Sequence, residues 1–291
     1  MKIIITGSNG QLGNEMRVLA TKNNQHNFIF TDVAELDITD ENAVSEFLKS
    51  QQADFLVNCA AYTDVNKAES DTEKARLINA IAPSILAKNC QKYNTKFIHI
   101  STDYVFDGKT YTPYQEIDKT SPESAYGLTK LDGEHAIISV SENYVIIRTA
   151  WLYSSFGKNF VKTMATLGKS KQEINVVFDQ IGTPTYAADL ASAIMEIINK
   201  TEQNPESFKS GIYHFSNEGV CSWYDFTIAI MQQFNLNCKI NPIHTSEYPT
   251  QAKRPAYSVL DKTKIKTEYG ISIPHWYESL KKCVQLLKEE K

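Results

Sequence analysis

Lys2-Ile3-Ile4-Ile5-Thr6-Gly7-Ser8-Asn9-Gly10-Gln11-Leu12-Gly13 is the stretch on which the fold turns. Lys2 to Thr6 is a short apolar, β-branched run, the pattern of a strand buried on both faces. The next seven residues read G-x-x-G-x-x-G, and a helical pattern through Met16, Leu19 and Ala20 follows. Between a strand and a helix, Gly7 and Gly10 permit a tight turn and close approach of a pyrophosphate to backbone N–H groups. Gly13 lets the helix pack on the sheet, and the positive helix N-terminus faces the phosphates. A plain glycine-rich βα turn is the alternative. The strand–turn–helix context favours nucleotide binding.

Working outward, Phe28 to Thr31 is the next strand candidate and ends at Asp32. A carboxylate some twenty residues past the glycines accepts hydrogen bonds from ribose hydroxyls and repels a 2′-phosphate. No Lys or Arg lies between Asp32 and Asp40, which tilts the cofactor toward NADH over NADPH. Asp37-Ile38 follows, where it can flank an adenine ring; turn and cap roles are the alternative for both aspartates. Asp40 is placed to cap a helix running to Ser50. Asp54–Asn58, Lys96–Ser101 and Tyr144–Arg148 read as further buried strands. Helical patterns at Ser70–Lys92 and Ser124–Ile138 lie between them. Strands alternating with helices on short connections predict an α/β fold with a Rossmann-type doubly wound parallel sheet.

Beyond Thr149 the regularity loosens, with helical patterns at 159–167, 187–199, 223–234 and 275–289 among proline-bearing loops. The expected organisation is a dinucleotide-binding domain over residues 1–150, completed by about 179–217. A smaller C-terminal α/β substrate domain takes 151–178 and 218–291.

Tyr126 and Lys130 stand four apart in the predicted Ser124–Ile138 helix, so phenol and ammonium share one face. A free tyrosine titrates near ~10, and a neighbouring lysine charge is expected to bring it toward the working range of an acid catalyst. Tyr-x-x-x-Lys is also common on solvated helices, so the pair acquires weight from its surroundings.

Composition narrows the class. The 291 residues are 42% hydrophobic and 22% charged, ordinary for a globular protein. Thirty basic against 34 acidic residues give −4, which argues against general attraction to nucleic acid. Neither a charged-then-apolar leader nor an apolar run of membrane length is seen, so a cytoplasmic protein without a membrane partner is expected. Cysteines 59, 90, 221, 238 and 283 form no CxxC pair and no metal-ligand spacing with the histidines, so no metal ligands are assigned.

Gly7–Gly13, Ser101-Thr102-Asp103 and Tyr126-x-x-x-Lys130 occur in the order and spacing of the extended short-chain dehydrogenase/reductase superfamily. Longer strings resemble the dTDP-4-dehydrorhamnose reductases. They are Asn58-Cys59-Ala60-Ala61-Tyr62-Thr63-Asp64-Val65 with Ala68-Glu69, Ser101–Gly108, Tyr126–Lys130, Arg148–Tyr153, Asp179-Gln180-x-Gly182-x-Pro184-Thr185, and Arg254-Pro255-x-x-Ser258. The resemblance spans nearly the whole chain. It implies NAD(P)H-dependent reduction of the 4-keto group of dTDP-4-dehydro-β-L-rhamnose, the last step of dTDP-L-rhamnose synthesis.

Position by position, the resemblance makes Tyr126 the proton donor, Lys130 its activator and ribose anchor, and Thr102 a hydroxyl beside the tyrosine. Thr102, Asp103 and Trp151 correspond to substrate contacts. Gly10, Gln11, Leu12, Asp32, Asp37, Ile38, Ala61, Tyr62 and Thr63 correspond to cofactor contacts. Arg254 is the candidate cation for the nucleotide diphosphate; a surface arginine is its alternative. Packing is the alternative for Trp151. Some members hold Mg2+ at a dimer contact through acidic residues, one matching Glu15. The later partners have no clear match here, Asp189 being the nearest, so a metal-linked dimer is only weakly implied and monomer or homodimer both stay open. Two rival functions share the pattern: a nucleotide-sugar epimerase that keeps its NAD, and a non-catalytic relative that regulates a partner.

Overall fold

The computed structural model describes residues 1–22 and 25–289. Five strands, β1 (Lys2–Thr6), β2 (Asn27–Phe30), β3 (Phe55–Asn58), β4 (Lys96–Thr102) and β5 (Tyr144–Thr149), are joined by β6 (Gly211–His214). They form one six-stranded parallel sheet in the order β6-β5-β4-β3-β1-β2. Chain direction across the sheet reverses between β1 and β3, the switch point at which open α/β sheets bind ligands. The Rossmann-type expectation thus holds, with Gly211–His214 pairing on β5 at the edge of the sheet.

Alternation along the strands explains the two covered faces. Ile3, Ile5, Phe55, Val57, Ile98, Val145 and Ile147 pack into one core with helix α1 (Gln11–Lys22) and the long helix Ala187–Gln203. Ile4, Leu56, Phe97 and Ile146 point to the other face, against α2 (Glu41–Gln51), α3 (Ala82–Lys92) and α4 (Ala125–Val140). Each fully buried isoleucine contributes on the order of 1.5–3 kcal/mol, so a strand with no polar outer face is stable only when both faces are roofed.

A second core gathers Val161, Met164, Phe226, Ile230, Leu280 and Val284 from helices Phe160–Ser170, Trp223–Phe234 and Trp276–Glu289. The parallel strands Glu173–Val177 and Lys239–Ile243 close it. Helix Thr263–Tyr269, unanticipated from the sequence, sends Ile265 and Tyr269 into the main sheet's core instead.

The helix expected over Ser70–Lys92 is broken: Thr72–Arg76 passes through a π turn, Leu77–Ile81, into α3. Gly133 of α4 crosses there so closely that a Cβ would lie 2.1 Å from the Asn79 carbonyl oxygen. π turns often mark functional positions, and this one carries Asn79.

Candidate active site

The loops leaving β1 and β3 meet at the switch point. Gly7 has φ +62°, and a Cβ there would lie 2.5 Å from the Ala60 nitrogen. At Gly13 a Cβ would come within 2.5 Å of Ser8 Cα, so the third glycine permits α1 to pack against the turn. The Gly10 N–H bonds the Gly7 carbonyl at 3.0 Å, which closes the turn. Gln11 and Leu12 begin α1; Leu12 is buried while Gln11 accepts a bond from Asn159 at 3.0 Å.

Asp32 lies beside this turn. Its Oδ2 accepts from the Asn9 N–H at 3.0 Å and its Oδ1 from the Val33 N–H at 2.9 Å. The fold also brings Arg17 to this corner, donating to Ser8 Oγ at 2.8 Å and lying over the Phe30 ring at 4.3 Å. Asp37 closes a local turn by accepting from the Thr39 N–H and hydroxyl at 2.9 and 2.6 Å, bonds that hold its carboxyl below the usual range. The Ile38 side chain is buried in the core with Val44 and Leu48.

Ala61, Tyr62 and Thr63 follow β3 and are only half-buried or exposed. Asn79 fixes them: it accepts from the Tyr62 N–H at 2.8 Å and donates to the Tyr62 carbonyl at 3.1 Å. Its amide also donates to Thr129 Oγ1 at 3.2 Å, tying this loop to the residue before Lys130. Asn79 stood inside a helical pattern in the sequence, and only the π turn reveals its work.

Helix α4 starts on Ser124, whose hydroxyl accepts from the Gly127 N–H at 3.1 Å, while the Ala125 N–H is held by Glu69 at 2.9 Å. A Cβ on Gly127 would lie 2.2 Å from the Tyr104 carbonyl oxygen, so the helix start presses on the loop after β4. Tyr126 is therefore delivered to Thr102 and Asp103. The Thr102 hydroxyl lies beside the Tyr126 phenol and donates to Asp103 Oδ1 at 3.0 Å. The Tyr104 ring meets the Tyr126 ring edge-on, centroids 5.5 Å apart.

Burial dominates the electrostatics here. Desolvation pushes the Tyr126 phenol well above its ordinary range; the neighbouring Thr102 hydroxyl opposes this, and the Asp103 charge adds to it. Lys130 does not offset it as the helical spacing suggested. Its Nζ is turned to the Ile100 carbonyl at 2.7 Å and His99 Nε2 at 3.1 Å, deep under β4. Asp103 is buried, keeps Oδ2 without a partner, and is raised to about 6 by desolvation, with the neighbouring Thr102 and Ser258 hydroxyls pulling the other way.

Toward the second core a cavity of about 760 Å³ opens, with Phe160, Gln180, Trp223, Tyr248 and Arg254 on its wall. Arg254 neighbours the Tyr104 phenol, and its buried Nε has no partner. Trp151 is not on that wall. It stacks behind Trp223 with ring centroids 3.5 Å apart, in the left-handed region at φ +48°. Gly182 packs at its edge, where a Cβ would lie 2.6 Å from the indole. Trp223 and Phe160 escaped the sequence reading because each sits at a helix start in an ordinary amphipathic pattern.

Glu15 and Asp189 both have partners within the chain. Glu15 accepts from Ser154 at 2.6 Å, Asp189 from Asn217 and Ser279 at 2.7 and 2.5 Å. Burial raises the Glu15 carboxyl above its ordinary range, against the Ser154 bond that lowers it. Among the described residues no three His, Cys, Asp or Glu side chains gather as ligands.

Comparison with known proteins agrees with this arrangement. The family described as the RmlD substrate binding domain matches residues 1–289. The dTDP-4-dehydrorhamnose reductase of Aggregatibacter actinomycetemcomitans is 41% identical over 286 residues, covering 96% of this chain and 97% of that protein. The crystal structure of the Clostridium acetobutylicum dTDP-4-dehydrorhamnose reductase superposes with TM-score 0.93 at 43% identity, over 99% of this chain and all (100%) of that one. The Bacillus anthracis dTDP-4-dehydrorhamnose reductase, solved in complex with NADP, gives 0.91 at 37% identity over 98% and 99%. With its parallel sheet, its glycine turn and its Tyr126 constellation, the chain belongs to the dTDP-4-dehydrorhamnose reductase family.

Proposed function

We propose that this chain reduces the 4-keto group of dTDP-4-dehydro-β-L-rhamnose to give dTDP-L-rhamnose, with Tyr126 as the proton donor. The observation that carries the assignment is the convergence of Tyr126, Thr102 and Asp103 at the end of β4, beside a cavity bearing Arg254.

The switch-point crevice fits a nicotinamide dinucleotide. The Gly7–Gly10 turn offers backbone N–H groups at a helix start, and any side chain on Gly7 would collide with the β3 loop. Gly7, Gly10, Gln11, Leu12 and Gly13, with Asp32, Asp37, Ala61, Tyr62, Thr63 and Lys130, would hold it, Ile38 contributing backbone only. The bound reduced nicotinamide supplies the hydride. Two carboxylate oxygens at Asp32 favour NADH, but Arg17 at the same corner offers a cation for a 2′-phosphate. A modest NADH preference follows, not an exclusive one.

For the rest, the chain's own residues suffice. As the ketone oxygen gains charge, Tyr126 donates its proton to it and the Thr102 hydroxyl turns from Asp103 Oδ1 to donate a hydrogen bond there. A phenol held above its ordinary range keeps that proton until an alkoxide-like oxygen demands it, which is the requirement for an acid rather than a base. Lys130 stabilises the phenolate left behind. Asp103 accepts from sugar hydroxyls through its free oxygen, and Arg254 binds the diphosphate with its unpaired N–H. Trp151 acts indirectly by backing Trp223, whose face lines the sugar–nucleotide cavity. No described helix is long and apolar enough to cross a membrane, and we place the enzyme with its nucleotide-sugar substrate in the cytoplasm.

A spectrophotometric assay tests the reading. Stoichiometric loss of NAD(P)H with dTDP-4-dehydro-β-L-rhamnose is expected. Interconversion of epimeric sugars without net cofactor consumption would favour an epimerase, and no turnover with intact cofactor binding would favour a regulatory relative.

A further inference from the structure

A buried polar row runs from β1 to Lys130. Strand register sets Thr6 beside Asn58 and Asn58 beside His99. Thr6, Asn58, His99 and Lys130 are each at most 1% exposed. None of the first three has a role in the chemistry described above.

The donors in this row can be assigned from one end. The Ala60 backbone N–H, which can only donate, points at Asn58 Oδ1 at 3.1 Å, and the Thr6 hydroxyl donates to the same oxygen at 2.7 Å. Turning the amide over would set its NH2 against the Ala60 N–H, two buried donors facing each other. Asn58 Nδ2 is therefore the atom 3.0 Å from His99 Nδ1, and it donates. A neutral imidazole that accepts at Nδ1 carries its proton on Nε2. That Nε2 is 3.1 Å from Lys130 Nζ. An ammonium there would face an N–H; a neutral amine accepts the bond and still donates to the Ile100 carbonyl at 2.7 Å.

We propose that His99 is a positioning residue that favours the neutral amine of Lys130 at alkaline pH while the two are paired, so that cofactor binding, which exchanges this contact for cofactor hydroxyls, is coupled to proton uptake by Lys130. Lys130 takes one proton from solvent, –NH2 becoming –NH3⁺, as it exchanges His99 for cofactor hydroxyls and the Tyr126 phenol. This last step rests on the cofactor reading above; the tautomer does not.

Other groups around Lys130 are accounted for. Burial draws its ammonium down to about 8, with Glu134, one turn further along α4, pulling the other way. The Glu134 carboxylate is itself engaged by Arg148 from β5 at 2.7 Å and by the Ser101 hydroxyl at 2.5 Å. Burial holds His99 well below its ordinary range, so it stays neutral rather than becoming an imidazolium.

Nitrogen NMR of histidine-labelled, cofactor-free protein at pH 8.5 reads the tautomer without cofactor or activity; the His99 signals are identified by their loss in His99→Gln. The Nε2–H neutral form is expected. The Nδ1–H form, or an imidazolium, overturns the proposal.

Calorimetry of NADPH binding at pH 8.5, in two buffers of different ionisation enthalpy, reads the coupling. Uptake of more than about half a proton is expected, with affinity falling towards tenfold per pH unit above about 8. In Asn58→Asp the new carboxylate accepts from Nδ1–H, Nε2 becomes an acceptor and Lys130 is charged from the outset. Uptake should then fall severalfold and the break in affinity move to higher pH. Binding by the wild type without uptake overturns the coupling. Failure of the cofactor to bind at all contradicts the cofactor reading, and the tautomer still decides the role of His99.

Discussion

Asp103→Asn should make the protein more stable at pH 8 and a poorer enzyme. The Asp103 carboxyl is buried, has one unpartnered oxygen and titrates at about 6 against an ordinary 3.8. The folded chain thus holds this proton more tightly than the unfolded chain. Stability from this group is fully present below pH 3.8 and is lost as pH rises through 6. Above that, ionised Asp103 costs about 3 kcal/mol. Asparagine removes the charge but forfeits one acceptor, so a net gain of about 1–2 kcal/mol is expected at pH 8. Near pH 4 the same substitution should gain less than about 1 kcal/mol, because the aspartate is then largely protonated in the fold. Denaturant unfolding at both pH values measures the difference, and steady-state kinetics should show a raised KM for the sugar nucleotide. Equal effects on stability at pH 4 and pH 8 would refute the claim that desolvation governs this carboxyl.

Two further outcomes follow from the site. Asp32→Ala should weaken NADH use by on the order of 1–3 kcal/mol and narrow its advantage over NADPH; an unchanged ratio of kcat/KM values would remove Asp32 from the ribose site. Arg254→Ala should raise KM for the nucleotide sugar more than it lowers kcat, since a cation on a remote diphosphate binds ground and transition states alike. An unchanged KM would place the diphosphate elsewhere on the cavity wall.

The sheet was legible because its strands are short apolar runs between glycine or aspartate turns, and parallel strands buried on both faces carry that pattern most clearly. Ser124 was legible as part of the helix start, and as a cap it holds the first turn on which Tyr126 sits. The π turn at Asn79 was hidden, because its residues continue the helical pattern on either side; Gly133 crosses close to its Asn79 carbonyl. Thr263–Tyr269 was missed because seven residues with two buried positions fall below what periodicity resolves. In the site, Tyr126, Thr102 and Asp103 were found from motif order. The direction of Lys130 was not: i, i+4 spacing shares a face, but a long side chain follows its partners, here His99 and the Ile100 carbonyl. Ile38 shows the complementary limit, since an apolar residue after a turn reads alike whether it faces a ligand or the core.

The central claim is that the Tyr126 phenol delivers the proton, and the turnover of Tyr126→Phe tests it most directly. Phenylalanine keeps the ring against Tyr104 and leaves helix α4 and the cofactor crevice intact. Cofactor affinity, measured by fluorescence titration, should stay within about threefold of wild type. The value of kcat with dTDP-4-dehydro-β-L-rhamnose should fall by about 10²–10⁴, the usual worth of a general acid. A folded, cofactor-binding variant that keeps more than about a tenth of wild-type kcat would contradict the account and pass the proton to Thr102, Asp103 or water.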